Sequence, residues 1–592
     1  MPDANEAKFL FTVESGAFFV SRFMGKEALS APYYFRIHLV VDDDAVNMAD
    51  LLKTRARLTF LTNYGKKRHI NGIISQVVRE ERNPNFSVYS VVLCPMFRLM
   101  GWRTCSRIFQ GMSVPDIIGD VLKKFGFSRS DFVMRLSDDH PPRDYCVQYR
   151  ETDMDFISRL AEEEGIFFFF TQGENRETVV FGDGISAVPW CAPESSVAYH
   201  PKTGTLETNE ETLHHCGMDV RVYSGKVVLN DYNYEKPAMP LRSMSAASVH
   251  QELEIYDHPG GYHEPGQGDA LSKIRRESVG FRAQTLNGRG TFRCLSAGHK
   301  FTITQSADAG LYVVYEASHK GSQTQAMFYR QEGEAGSTYE CSFEATPAEV
   351  SVRAPIHFKK PPVPIQTAVV VGPPGEEIYT DENGRVKVQF HWDREGENNE
   401  KSSCWIRVSQ AWAGAGWGAM YIPRIGQEVV VDFIEGDPDR PIIIGQVYNG
   451  ENLPPYPNDK TKSGVKSNSS SGGGGFNEVR FEDKKGKEEF FTHAQKDQNE
   501  IVGNCMTTTI KANKILLVEK NRTTAIKSGN DTLTVEKGSR DVEVKKGNEM
   551  HKNGADFIHE VKGNFELNVG GNLTINVTGT ATIKGKAIHL NP

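Results

Sequence analysis

At 592 residues the chain is longer than one hydrophobic core supports, so three or four folded units are expected. A net charge of −8 with both signs interspersed argues against a nucleic-acid binder, and no stretch approaches the ~20 apolar residues that cross a bilayer. Nine dispersed cysteines, with no close pair of zinc or redox spacing, fit reduced cytoplasmic thiols. The start, Met1-Pro2-Asp3-Ala4-Asn5-Glu6, lacks the basic and then apolar segments of a signal peptide. Synthesis in the cytoplasm is therefore expected, with any export by a route that reads folded shape.

The first ~360 residues alternate short strands with a few helices. Stretches 9–13, 33–41, 56–61 and 87–93 are rich in aromatic and β-branched residues and predict strands, as does the run Phe167 to Phe170. Two helices carry clear punctuation. One begins near Ser113 with Asp116 three residues on, buries Ile117, Ile118, Val121, Leu122 and Phe125, and stops at Gly126. The other begins near Thr152 with Asp155 three residues on, buries Phe156, Ile157, Leu160 and Ala161, and stops at Gly165.

A proline cluster from Pro355 to Pro364 marks a boundary. Behind it, 369–371, 385–392, 404–410, 428–434 and 442–448 predict five strands. Explicit turns separate them, among them Asp381-Glu382-Asn383-Gly384 and Glu435-Gly436-Asp437-Pro438-Asp439-Arg440-Pro441. Five strands in so short a segment fit a small closed barrel of the OB type. Residues 453–477, which include Ser469-Ser470-Ser471-Gly472-Gly473-Gly474-Gly475, have the composition of a linker. The basic run Lys484-Lys485-Gly486-Lys487 is followed at once by Glu488-Glu489, which favours a solvated hairpin.

From Val502 onward the chain keeps time. Apolar residues recur at Val502, Ile510, Val518, Ile526, Val535 and Val544, then at Val561, Val569 and Val577, in steps of eight or nine with one double step near Asn553. Glycine or asparagine follows these positions, and is expected to supply a φ > 0 corner in each repeat. Burying one valine or isoleucine yields ~1.5–3 kcal/mol, whereas ordering each residue's backbone costs about 1–2 kcal/mol. So thin a stripe closes no core in one chain, but several chains meeting on an axis can bury it. An obligately oligomeric β-prism or β-helix is expected, with a single-chain β-solenoid as the alternative.

These residues look familiar together. The repeat, preceded by Gly475-Phe476-Asn477-Glu478-Val479-Arg480-Phe481-Glu482-Asp483, resembles the VgrG family of type VI secretion spike proteins. So do Asp381-Glu382-Asn383-Gly384-Arg385-Val386-Lys387-Val388-Gln389-Phe390-His391-Trp392-Asp393 and Gln427-Glu428-Val429-Val430-Val431-Asp432-Phe433. Gly25-Lys26-Glu27-Ala28-Leu29-Ser30 and Tyr149-Arg150-Glu151-Thr152-Asp153 extend the likeness to the N-terminal part.

The resemblance implies a mainly β fold with minor α in four parts. These are an α+β hub of barrel-like domains over 1–364, an OB-fold neck over 365–452, the linker 453–477, and a Val/Gly-repeat needle over 478–592. It also implies a homotrimer like the hub and spike of contractile phage tails, seated on a tube of Hcp rings and sharpened by a PAAR-type tip protein. The nine repeat positions named above become the trimer core of an intertwined β-helix. Ile588, His589, Leu590, Asn591 and Pro592 become the docking platform for the tip protein. Effectors or their adaptors ride on the particle, which is exported by type VI secretion and meets the target envelope only in transit. Some relatives carry a toxin after the needle, and phage spikes a lysozyme between barrel and needle. Neither is expected here.

No catalytic residue, cofactor or metal is expected. Gly414-Ala415-Gly416-Trp417-Gly418 lacks the helix and Lys-Ser/Thr pair of a phosphate loop. His214-His215-Cys216 alternates across a strand without a distant partner motif. Glu376, Glu377, Asp381 and Glu382 flank turns, where acids are ordinary, and His391 beside Trp392 reads as a barrel face. His589 alone falls short of the His-x-His of a metal-capped tip. The alternatives are a cell-wall hydrolase with a site in the N-terminal half, and a hub and spike of a prophage or extracellular contractile device.

Overall fold

The computed structural model describes residues 8–14, 16–41, 47–63, 65–83, 86–201, 210–323, 337–354 and 356–590. Residues 1–6, Pro355, Asn591 and Pro592, on which expectations fell, lie outside the described residues. The chain divides into two units, Met1–Gln498 and Asn499–Pro592.

The first unit begins with β1 (Phe9–Val13), β2 (Gly16–Ala28), β3 (Ala31–Val41), the short helix α1 (Met48–Leu51), β4 (Arg55–Leu61), β5 (Lys67–Asn83) and β6 (Phe86–Cys94). They hydrogen-bond in the order β1-β4-β5-β6-β3-β2, and β2 returns to β1, which closes a six-stranded barrel. Alternation along each strand turns Phe9, Phe23, Phe35 and Phe60 inward, and their rings meet edge to face.

The chain continues through β7 (Thr104–Phe109), α2 (Val114–Phe125), β8 (Phe132–Arg135), β9 (Cys146–Thr152), α3 (Asp153–Glu163), β10 (Phe167–Gln172) and β11 (Glu177–Gly182). Both helices form where the capping signals place them. The Ser113 hydroxyl accepts from Asp116 N–H and Gly126 closes α2 at φ 112°, while the Thr152 hydroxyl accepts from Asp155 N–H. The phenylalanine run is buried on both faces: Phe168 and Phe170 join the main core, Phe167 and Phe169 a second one.

Next come β12 (Ser196–Tyr199), β13 (Thr212–Val220), an excursion through β14 (Lys226–Asp231), β15 (Leu241–Ala246), β16 (Glu254–Asp257) and α4 (Pro265–Gly280), and then β17 (Gln284–Gly290), β18 (Lys300–Thr304), β19 (Gly310–Gln323) and β20 (Ser337–Pro347). The order β19-β18-β12-β13-β17-β20, with β20 back on β19, closes a second six-stranded barrel. The barrels share an edge where β2 pairs antiparallel with β19, from Ala28↔Glu316 to Arg22↔Ser322. Helix α4 is not among the helices the sequence predicts, because its buried positions are Gly268, Ser272 and Ser278, too small to print an apolar period.

The neck follows: β21 (Gln366–Val371), β22 (Lys387–Phe390), β23 (Arg407–Val408), β24 (Glu428–Phe433) and β25 (Pro441–Val447), in the order β22-β21-β24-β25-β23. Reciprocal hydrogen bonds between Val386 and Ile406, at 3.0 and 2.8 Å, close the ring between β23 and β22. A last sheet joins β26 (Lys462–Lys466), β27 (Glu478–Glu482) and β28 (Glu489–His493). Part of the stretch read as a linker is therefore structured. Ser469 N–H donates to the Gly475 carbonyl at 2.9 Å, so backbone pairing orders a segment that composition marks as loose.

Candidate functional site

Residues 499–590 are exposed throughout, and no β-ladder or backbone–backbone hydrogen bond forms among them within the single chain. The nine repeat positions, Val502, Ile510, Val518, Ile526, Val535, Val544, Val561, Val569 and Val577, stand 42–50% exposed. A valine stripe of this length left in water lacks its cover. Ile588, His589 and Leu590 are exposed as well.

The backbone sharpens the period. Bends of two or three residues fall at 503–504, 511–512, 519–520, 527–529, 536–538, 545–547, 554–555, 562–563, 570–571 and 578–579, all but 554–555 directly after a stripe position. The bend at 554–555 lies inside the double step, so the repeat runs on where the apolar residue is missing. The expectation of a left-handed corner in every repeat is corrected. Among the described residues from Val502 onward only Gly529, Gly538 and Gly547 have positive φ, at 116°, 109° and 108°. These sit in the three-residue bends of the nine-residue steps. The extra residue is absorbed as a left-handed glycine, which a side chain resists, whereas an eight-residue step turns on two residues without one.

Before the needle, the loop 435–441 helps to hold the neck to the hub, as does Arg385, which donates to the Tyr234 hydroxyl and to Glu235 at 2.6 Å each. Asp439 accepts from Val147 N–H at 2.7 Å and from Lys360 Nζ at 2.7 Å, while Asp437 accepts from Lys360 at 2.9 Å. Arg440 donates to Asp231 at 2.6 Å. Burial opposes the charge of Lys360, yet Asp439, Glu163 and Asp437 hold its ammonium above the ordinary range. Tyr145, Val147 and Tyr149 of the hub reach into the neck core beside Val370, Val388 and Val431. At the far side of the neck, Arg424 donates to the Asn468 carbonyl at 2.8 Å, and Glu377 accepts from Arg424 at 2.6 Å and Ser471 N–H at 2.6 Å.

The other candidates have structural employment. Asp381 accepts from the Arg385 side chain at 2.6 Å, with backbone bonds that shape its turn, and Glu376 and Glu382 are exposed. His391 Nε2 lies 3.1 Å from the Thr367 hydroxyl. His215 and Cys216 pair with Arg289 and Gly288 in β13, and among the described residues no three potential metal ligands converge. Burial pushes the Cys146, Cys191, Cys341 and Cys404 thiols up to about 12, which makes them inert. The 414–418 stretch forms a hairpin in which Trp412 and Trp417 meet edge to face at 5.0 Å, both more than half exposed.

Three family models match parts of this chain. Residues 26–325 match the phage tail baseplate hub family, 376–448 the type VI secretion system/phage-baseplate injector OB domain, and 463–584 the bacteriophage T4 gp5 C-terminal trimerisation domain. The spike protein VgrG1b of Pseudomonas aeruginosa is 41% identical over 81% of this chain and 66% of its own length. VgrG1a of the same organism is 39% identical over 87% of this chain and 82% of its own. The actin cross-linking toxin VgrG1 of Vibrio cholerae is 35% identical over 88% of this chain, which spans only 49% of the toxin. The E. coli c3393 protein, a type VI secretion component similar to T4 tail proteins, superposes with a TM-score of 0.54 at 21% identity, over 74% of this chain and 99% of its own. The chain belongs to the VgrG family of type VI secretion system spike proteins.

Proposed function

We propose that three copies of this chain form a spike that works by shape and recognition, without catalysis or cofactor. The observation that carries this reading is the needle: a stripe repeated at nine positions, half exposed at each and without backbone pairing in one chain. Three such chains bury their stripes on one axis, and each backbone finds its ladder on a neighbour, leaving no open sheet edge. The exposed Trp412 and Trp417, with Met420 and Tyr421, add apolar surface on the neck that a second copy would cover.

In this reading the hub sits on an Hcp tube ring. Three copies bring six similar barrels around the axis, a suitable seat for a ring. Residues Ile588 to Pro592 receive a PAAR-type tip protein, effectors or adaptors are carried, and the particle leaves the cytoplasm by type VI secretion. Contraction of a sheath then acts on a needle that resists bending because its backbone is paired between chains.

Sedimentation of the full-length protein tests the assembly: a trimer is expected, and a stable monomer at micromolar concentration would refute it. Truncation after Ala587 tests the platform, with the trimer retained and binding of the tip protein lost; binding that survives truncation places the platform elsewhere.

A further inference from the structure

The stripe has one polar member. Counting nine on from Val544 and eight back from Val561 arrives at the same residue, Asn553. The backbone agrees from a separate direction, since a two-residue bend at 554–555 follows Asn553 as a bend of two or three residues follows each valine or isoleucine of the stripe. The nine-residue step from Val544 also carries the left-handed Gly547 that marks such steps, so the count of nine stands on conformation as well as spacing.

We infer that Asn553 takes the axial position of its repeat and that the three Asn553 carboxamides form a polar layer that fixes the register of the three chains. In the three-chain needle proposed above, on which this rests, the layers before and after it are valine. A chain that slips by one repeat still sets valine against valine almost everywhere, because the repeats are nearly alike. Register is weakly specified in such a stack. At one level, however, slippage places an Asn553 carboxamide against two valines, where its donors and acceptor find no partner in a dry layer. In register, each carboxamide donates to the next around the ring, and all three are served. A lone asparagine in the apolar seam of a coiled coil specifies alignment in the same way, at some loss of stability.

The full-length chain provides the test. Asn553→Asp is compared with Val518→Asp, in the middle of the stripe, and with Lys552→Asp, one residue away on the opposite face. Sedimentation and thermal melting should show that Asn553→Asp and Val518→Asp break the trimer, since each sets three carboxylates together on the axis, while Lys552→Asp leaves it whole. A trimer of Asn553→Asp as stable as that of Lys552→Asp overturns the inference alone. A trimer of Val518→Asp that stays whole overturns the axial stripe and the inference with it. Asn553→Val supplies the second measurement. It should melt above the wild type and, after refolding, lose register. The exposed Cys505 reports this, because in register the three thiols share one level. Cross-linking between chains by a short bismaleimide should fall several-fold in refolded Asn553→Val. Undiminished cross-linking would show that Asn553 does not set the register.

Discussion

Replacing Glu27 with glutamine strikes the seam where the two hub barrels join. Glu27, on β2, is buried and ion-paired to Nη2 of Arg68 on β5, which also donates to Ser296 Oγ at 2.9 Å, while Arg68 Nη1 donates to the Arg293 carbonyl at 2.8 Å, both in the second barrel. His319 Nε2 lies 3.1 Å from the carboxylate, and its Nδ1 is 2.8 Å from the Tyr339 hydroxyl. Burial opposes ionisation of Glu27, but Arg68 and then His319 outweigh it and hold the carboxyl at about 2, against an ordinary 4.5. That depression corresponds to about 3 kcal/mol of folding stability. Glu27→Gln also leaves Arg68 charged and buried without its partner, a loss of roughly 3–5 kcal/mol by the usual cost of breaking a buried pair. The hub transition in scanning calorimetry should therefore fall by roughly 5–10 °C at neutral pH. Because the folded pKa is depressed, the carboxylate's contribution is complete above about 4.5 and is lost as pH falls toward about 2. Wild-type and Glu27→Gln melting temperatures should thus converge across that window. Arg68→Met should be equally harmful alone and less than additive with Glu27→Gln. A shift within experimental error at neutral pH, or two acid profiles that stay parallel, would refute the reasoning.

Three further outcomes follow from the geometry. Asp439→Ala strands Val147 N–H and takes one of two carboxylates from Lys360, so the neck should loosen by about 2–4 kcal/mol, read as faster amide exchange across β9 and the neck barrel. Gly529→Ala forces a side chain into φ 116° in each copy, about 1–2 kcal/mol per chain, whereas Gly563→Ala meets neither a left-handed φ nor a close neighbour. The needle's melting temperature should fall in the first and hold in the second. Ser113→Ala removes the cap of α2 and should cost about 1 kcal/mol, seen as earlier exchange of its first-turn amides.

Much of the needle is legible in the amino-acid sequence, because its information is periodic. A stripe too thin for one chain, recurring every eight or nine residues, states both a repeat and a need for partners. The capped helices are equally plain, since Ser113 and Thr152 act on N–H groups three residues away, and local chemistry stays visible in local sequence. Helix α4 is hidden for the complementary reason: small residues pack it, and only the sheet beneath shows why small ones are needed there.

What the chain alone determined was its order of parts, its mainly β character and the repeating apolar stripe. Only the tertiary structure decided that the hub closes as two barrels sharing the β2–β19 edge, that Tyr145, Val147 and Tyr149 complete the neck core across an apparent boundary, and that Asp439 and Lys360 fasten the two. Those contacts join residues from 79 to three hundred positions apart, and spacing in sequence carries no signal for pairs that burial alone brings together. The left-handed corners belong with them. Glycine follows many of the stripe residues, but only the backbone tells which glycines turn a nine-residue step and which are ordinary bends.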